Sequence, residues 1–426
     1  MIPILYLLPL ALAAAPASAP APLRASRCGP VQDPAPPKSA GEWNARGIRE
    51  LTADRYDAAI DAFAEARLLD GSDTTIRLNL SRAHAHRGRA LLAEGLLPAA
   101  LADFEAAAAL DADGGHPGTL VAQALVRLGL RDRAQERLVR VIAEHPDNLE
   151  AHRLRAELEA LAGHLDAAVT LLRTAEELAA AQDAPVAPIR ERRLQLEEET
   201  RALHGFLTDA SAHFDYRYDP QQAALVESLG SLMIDLEAAF QSVAGRTGLA
   251  PTDRVLVLLL DRDRYKGDAP EWSGGLYDGR IRVAVSDYAA ERPVVQATLR
   301  HEYTHAALHR LGAPLPTWLH EGLAQWVEGR DVEAARRRIR DRALSQLPAH
   351  AALCGAWTGW SDRGKVESAY DYALSLTIWL GERYGDSAYR LLFENVRARG
   401  FEDGFRLTFG KSSADVDAEH RRLMRD

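Results

Sequence analysis

The sequence predicts a multidomain protein: an all-α solenoid of helical hairpins, then an α+β domain with a small mixed sheet and a helical C-terminal half. Three observations predict it. A recurrence of small and large apolar residues, mostly 34 residues apart, runs through residues 41–181. Apolar spacing then shortens to alternation from His213 to Tyr218 and to a continuous run from Arg254 to Asp261. Helical spacing returns after Pro293 and holds to the C-terminus, apart from a Trp- and Gly-containing loop near residues 353–365. At 426 residues the chain also exceeds what one hydrophobic core ordinarily serves.

The composition is globular, 47% hydrophobic and 26% charged. A net charge of -10 argues against a general nucleic-acid binder, which needs a basic surface to displace counterions, and against a polybasic membrane anchor. Proteins or peptides are the expected partners. The N-terminus, "MIPILYLLPLALAAAPASAPAP", has an apolar run from Ile4 to Ala15, too short for the roughly 20 residues of a spanning helix. Small residues at Ala17, Ser18 and Ala19 follow it. Residues 1–21 therefore read as a signal peptide and 22–40 as a Pro/Ala-rich linker. The expected address is exported, periplasmic or extracellular, with no transmembrane span in the mature chain. Two cysteines, Cys28 and Cys354, are too few for a disulfide scaffold or a cysteine zinc cluster.

Residues 41–181 carry the recurrence. "YDAAIDAFAEARLLD", "LPAALADFEAAAALD", "DRAQERLVRVIAEHP" and "LDAAVTLLRTAEELA" align on Ala59, Ala100, Ala134 and Ala168. Four residues after each stands a bulky apolar residue: Phe63, Phe104, Leu138 and Leu172. Gly95, Gly129 and Gly163 end the preceding helices. A small residue lets two antiparallel helices approach, and the large one fills the gap beside it. No single pair buries its apolar face, so stacking supplies the core. The pattern resembles tetratricopeptide repeats, with Trp43 and Gly47 fitting the start of the first and Pro146 the end of the third. That resemblance implies a protein partner on the concave face. The first interval is seven residues longer than the others, and the extra residues are expected within Arg87–Leu97. Pro185 and Pro188 close the array, and residues 182–205 read as a linking helix.

In the second domain, 206–426, the run Arg254–Asp261 suits a strand buried on both faces. Asp278-Gly279 between two apolar pieces signals a hairpin. The first helix of the C-terminal half is expected to start at Pro293 and end at Gly312. It carries "HEYTH". His301 and His305, four apart, lie about 40° apart around the helix and about 6 Å apart along it, so both imidazoles can converge on one zinc ion. Glu302, on the neighbouring face, can take a proton from a metal-activated water. Four residues compete as third ligand. His309 sits about 12 Å along the axis from His301, out of reach. His320 and Glu321 lie about 100° apart on the next helix, so one of them faces inward, and Glu328 lies about 10 Å beyond Glu321.

"LRHEYTHAALHRL" followed by "LPTWLHEGLAQWVEG" resembles the peptidase MA-like domain of the gluzincin metallopeptidases, thermolysin's wider relatives. The resemblance extends to "SGGLYDGRIRVAV" and "AYDYALSLTIWLGERYG" and covers about residues 206–400. It implies a zincin-like fold binding one zinc ion, with Glu321 as third ligand beside His301 and His305 and Glu302 as general base. It implies Tyr370 as a stabiliser of the oxyanion, with Tyr372 nearby as the alternative. It also implies an edge strand along the cleft, for which residues 280–285 are the candidate. Where thermolysin-like sites have an aspartate four residues after the glutamate ligand, this chain has Gln325, which cannot supply an anionic partner to a ligand.

Two functions follow as expectations. One is a zinc metallopeptidase whose repeats recruit peptide or protein substrates. The alternative is a cell-envelope scaffold or chaperone that binds partners through the repeats and keeps a structural or vestigial metal site. A cysteine or serine hydrolase has no nucleophile elbow and no adjacent Cys/His constellation to support it.

Overall fold

The recurrence of small and large residues folds as four antiparallel helix pairs. They are α1 (Ala40–Thr52) with α2 (Tyr56–Leu69), α3 (Thr74–Ala93) with α4 (Leu97–Leu110), α5 (Gly115–Arg127) with α6 (Arg131–Glu144), and α7 (Leu149–Leu161) with α8 (Leu165–Ala181). The computed structural model describes residues 37–111, 114–266, 275–342, 347–357, 360–385 and 387–424. The expected signal peptide, most of the linker and any pairing of Cys28 with Cys354 lie outside them. Among the described residues no helix is long and apolar enough to cross a membrane.

Ala59, Ala100, Ala134 and Ala168 are wholly buried, as are Phe63, Phe104 and Leu138, and Leu172 nearly so. Each bulky residue also has a small partner 16 positions earlier, on the first helix of its pair: Gly47, Gly88, Ala122 and Ala156. The pairing conserves volume. A Cβ on Gly47 would stand 2.5 Å from the Phe63 ring, and one on Gly88 2.6 Å from the Phe104 ring. Where leucine replaces phenylalanine, alanine fits.

The seven extra residues lie elsewhere than expected. α3 has 20 residues against 13 in α1, α5 and α7. Gly88 is its fifteenth residue, whereas Gly47, Ala122 and Ala156 are each the eighth of theirs. The insertion thus precedes Gly88 and does not fall within Arg87–Leu97. Seven residues make about two turns, so the buried face of α3 keeps its direction.

The helix α9 (Ala187–Ala202), with Pro188 in its first turn, packs on α8 and buries Ile189 and Leu196. A five-stranded sheet follows, in the order β1-β2-β3-β5-β4: β1 (Leu207–Ala210), β2 (Phe214–Tyr218), β3 (Val255–Leu260), β4 (Gly275–Tyr277) and β5 (Ile281–Ala284). The three central strands are parallel, and β1 and β4 run antiparallel at the edges. All six residues of β3 are buried. Val255, Val257 and Leu259 join the main core, and Leu256, Leu258 and Leu260 join a smaller cluster with Leu203 and Phe206. β1 is exposed throughout, so no apolar alternation announces it in the sequence. The hairpin at Asp278-Gly279 forms, with Gly279 at φ +102°. Residues 280–285 do not form an edge: β5 lies between β3 and β4, and β4 is the outermost described strand on that side.

Helices complete the second domain: α10 (Ala223–Thr247), α11 (Arg262–Lys266), α12 (Tyr288–His309), α13 (Thr317–Glu328), α14 (Val332–Asp341), α15 (His350–Cys354), α16 (Arg363–Tyr384), α17 (Ala388–Arg399), α18 (Phe401–Phe409) and α19 (Ser413–Leu423). α12 starts five residues before Pro293. Asp287 caps it by accepting from Ala290 N at 3.1 Å, and Asp235 on α10 binds Tyr288, Arg292 and Gln296 in its first turns. Pro293 removes one backbone donor, a loss these contacts offset.

The array lies along the second domain through its turns. Gly95, Gly129 and Gly163 have φ of +80°, +75° and +83°, and they face Pro314, Arg310, and Leu256 with Arg217, respectively. From α9, Glu199 pairs with Arg280 at 2.7 Å and Arg282 at 3.5 Å on the sheet.

The Gly88–Phe104 fit has a direct consequence. Gly88→Ala overpacks the second repeat and is expected to destabilise the chain by about 1–3 kcal/mol. Gly41→Ala, with nothing within 4 Å of the added carbon, is expected to be neutral or slightly stabilising. Thermal unfolding of the two variants checks the contrast.

Candidate metal centre

Helix α12 presents His301 and His305 on one face, and α13, packed against it, presents Glu321. The Nε2 atoms of both histidines stand 3.8 Å from Glu321 Oε2, and the three ligand atoms all lie within 4.8 Å of one another. Donors held around one zinc ion at ~2.0–2.1 Å stand roughly 3.3 Å apart, so little movement separates this arrangement from a coordinated one. Glu302, His305 and Glu321 are almost wholly buried. Among the described residues Glu302 Oε2 and Glu321 Oε2 have no hydrogen-bond partner, and a buried carboxylate oxygen left so is costly unless a cation serves it. The residues fit a metal ion.

The protonation states are set by burial and by this crowding. Burial pushes the carboxyl groups of Glu302 and Glu321 up, each to about 7. Burial also drives His305 well below the usual histidine range, helped by the charges of His301, His320 and His309. For His301 burial acts the same way, but the Glu328 hydrogen bond and the charges of Glu302, Glu328 and Glu321 outweigh it and hold the ring up at about 9.

Glu328 is the residue that sequence reasoning placed among the surroundings. Its Oε2 lies 3.0 Å from His301 Nδ1, which leaves Nε2 facing Glu321, and its Oε1 pairs with Arg330 at 2.9 Å. A carboxylate behind a ligand histidine fixes the ring's tautomer and direction. The signal was the seven-residue spacing, which puts Glu328 on the face of α13 that carries Glu321. Gln325 does not take that part. Its Nε2 donates to Glu321 O at 3.2 Å and Tyr370 O at 2.9 Å, tying α13 to α16.

Tyr370 and Tyr372 separate clearly. The Tyr370 hydroxyl hydrogen-bonds the Glu321 carboxylate. Tyr372 is wholly buried and donates to Asp417 Oδ1 at 2.9 Å, away from the site. Gly322, next to Glu321, explains the approach of the two helices: a Cβ there would stand 2.1 Å from Thr377 Oγ1 and 2.5 Å from Ala373 O on α16. Of the remaining histidines, His320 stacks on His305 with ring centroids 6.0 Å apart, and His309 is exposed, its ring edge-on to Tyr277 at 5.9 Å. Cys354 does have a histidine beside it, contrary to expectation. His350, one turn earlier on α15, brings Nε2 within 3.4 Å of Sγ, but the same nitrogen meets Ser413 Oγ at 3.0 Å, and Nδ1 faces Asp417 at 3.8 Å. These contacts tie α15 to α19.

Comparisons with known proteins bear on the repeats. Residues 91–158 match the tetratricopeptide repeat family model. The N-terminal part carries tetratricopeptide repeats. Similar solved structures include TTC0263, a thermophilic TPR protein of Thermus thermophilus, at 20% identity and TM-score 0.22, covering 37% of this chain and 98% of that one. MamA aligns at 16% identity and TM-score 0.25, covering 37% and 96%. YrrB, a TPR protein with an unusual peptide-binding site, aligns at 16% and 0.26, covering 39% and 91%. No curated protein matches the chain significantly. The reading of the second domain therefore rests on its own geometry.

If Glu328 holds His301 in its ligating orientation, Glu328→Gln should weaken zinc binding by about 10–100-fold without unfolding the chain. Titration against a chelator of known affinity measures it. An unchanged affinity would remove Glu328 from the site.

Proposed function

We propose that the chain is a zinc-dependent peptidase, with His301, His305 and Glu321 holding one ion. The observation that carries this reading is the intact set: three converging donors, a buried carboxylate beside them at Glu302, and a fixed ligand ring at His301. A bound zinc ion would supply Lewis acidity toward a peptide carbonyl and toward water. Glu302, its carboxyl pushed up to about 7 by burial, can accept a proton and pass it to a departing amine near neutral pH. Tyr370 orients Glu321 and offers a hydroxyl close to where charge would develop on the attacked oxygen. β4 offers main-chain groups for an extended peptide to pair with, beside the helix that carries His301 and His305. The repeats bring protein substrates or partners to the same molecule.

The comparisons favour a second reading, because they support protein-binding repeats and give no support to peptide hydrolysis. Under it the chain is a scaffold or chaperone, and the metal site is structural. A carboxylate of Glu302's kind has no part in a structural site, which is why the geometry leans to hydrolysis.

A single comparison separates the two. Wild type and Glu302→Gln, both zinc-loaded, are exposed to denatured-proteome peptides and the new termini are sequenced. The peptidase reading predicts cleavage by wild type only, reduced by at least about 100-fold in the variant, with zinc retained by both. Equal cleavage, or none by either, sinks it. Glu321→Ala should lose stoichiometric zinc.

A further inference from the structure

The C-terminal end of α12 meets the array, and the meeting place is positively charged. Residues 310–312 lie against the turn between α5 and α6. A Cβ on Gly312 would stand 2.1 Å from Arg127 O, and one on Gly129 3.1 Å from Arg310 O. Arg127 and Arg310 belong to the touching segments and Arg131 opens α6 beside them, and the charges of all three reach His309. Arg310 is 9% exposed. Its Nη2 donates to Arg254 O at 3.1 Å, but Nε and Nη1 are buried with no hydrogen-bond partner among the described residues. The buried Tyr303 hydroxyl, which the Arg310 charge also reaches, has no partner either. Tyr277 lies beside Arg131, and the acid whose charge reaches Arg131, Asp253, makes no ion pair with it.

Among the described residues no carboxylate forms an ion pair with Arg127, Arg131 or Arg310, and the acceptors near them are hydroxyl, imidazole and carbonyl groups. A buried guanidinium left without an acceptor is costly, and the ligand that relieves it is an oxyanion. The cluster sits beside the proposed cleft. His309 is one turn, about 6 Å, beyond His305 on the same helix, and Tyr277 belongs to β4, where an extended peptide would pair. The oxyanion that a peptide would bring to that place is a carboxylate, which suits the planar arginine fork.

We propose that Arg127 and Arg131 of the repeat array, with Arg310 of the second domain, form a carboxylate-binding subsite beside the metal centre, so that the array is a wall of the substrate cleft. The carboxylate is either a peptide's C-terminus or an Asp or Glu side chain. This rests on the peptidase reading for its substrate class, but its test reads binding and not cleavage, so the two can fail separately.

The test uses full-length Glu302→Gln protein and fluorescence anisotropy with three N-terminally fluorescein-labelled hexapeptides of alanine, serine and leucine. One is a free acid, one a carboxamide, and one a carboxamide with a central glutamate. At least one carboxylate peptide is expected to bind about tenfold or more tighter than the neutral carboxamide. The free acid binding best assigns the C-terminus, and the glutamate peptide binding best assigns a side chain. Adding Arg127→Gln with Arg131→Gln should bring the three within about twofold. Arg127→Gln alone, at an exposed position, should leave thermal unfolding unchanged and cut the preference by about threefold. Three peptides binding within about twofold of one another before these arginines are changed, no binding by any of them, or a preference undiminished by Arg127→Gln and by the double change overturns the proposal.

Discussion

At the centre of the second domain the governing constraint is steric: α13 reaches α16 only because residue 322 has no side chain. An added carbon would overlap Thr377 Oγ1 and Ala373 O, so any larger residue must push the helices apart. Glu321 precedes that glycine, and Tyr370 stands one turn before Ala373, so their hydrogen bond depends on the same closeness. Gln325 spans the two helices from the next turn and uses the short distance again. The carboxylate that faces His301 and His305 is therefore placed by a contact at the next residue, about 100° around its own helix.

A comparable economy joins the two halves of the chain. The array touches the second domain with its turns, and glycine serves there twice, for the left-handed backbone and for the close approach. Because each turn is built by one repeat, the contacts recur at Gly95, Gly129 and Gly163 with the period of the array itself. The longer α3 leaves this register intact, since its extra residues precede Gly88 and add whole turns. Charge completes the join at the other end, where Glu199 on α9 holds Arg280 and Arg282 of the sheet.

Much of this was legible in the sequence, and the misses have physical causes. The repeats could be read because alternating small and large residues is itself the packing rule. β3 could be read because a strand covered on both faces is apolar throughout, whereas β1, exposed along its length, leaves no pattern. The order of β4 and β5 was misjudged because strand order is a tertiary property that no local signal encodes. Pro293 pointed to a helix start, but the cap at Asp287 and the contacts of Asp235, from a distant helix, carry α12 five residues further back. At the candidate metal centre, helical spacing pairs His301 with His305, while choosing Glu321 took a family resemblance. Glu328 was passed over because its distance along α13 from Glu321 was weighed and its shared face was not.

Zinc K-edge X-ray absorption of the full-length protein, loaded with one equivalent of zinc, tests the central claim most directly. The account predicts a shell of nitrogen and oxygen donors at ~2.0–2.1 Å, with the scattering pattern of two imidazoles and no sulfur at ~2.3 Å. Failure to hold one equivalent of zinc, a sulfur shell, or the signature of fewer than two imidazoles would contradict it.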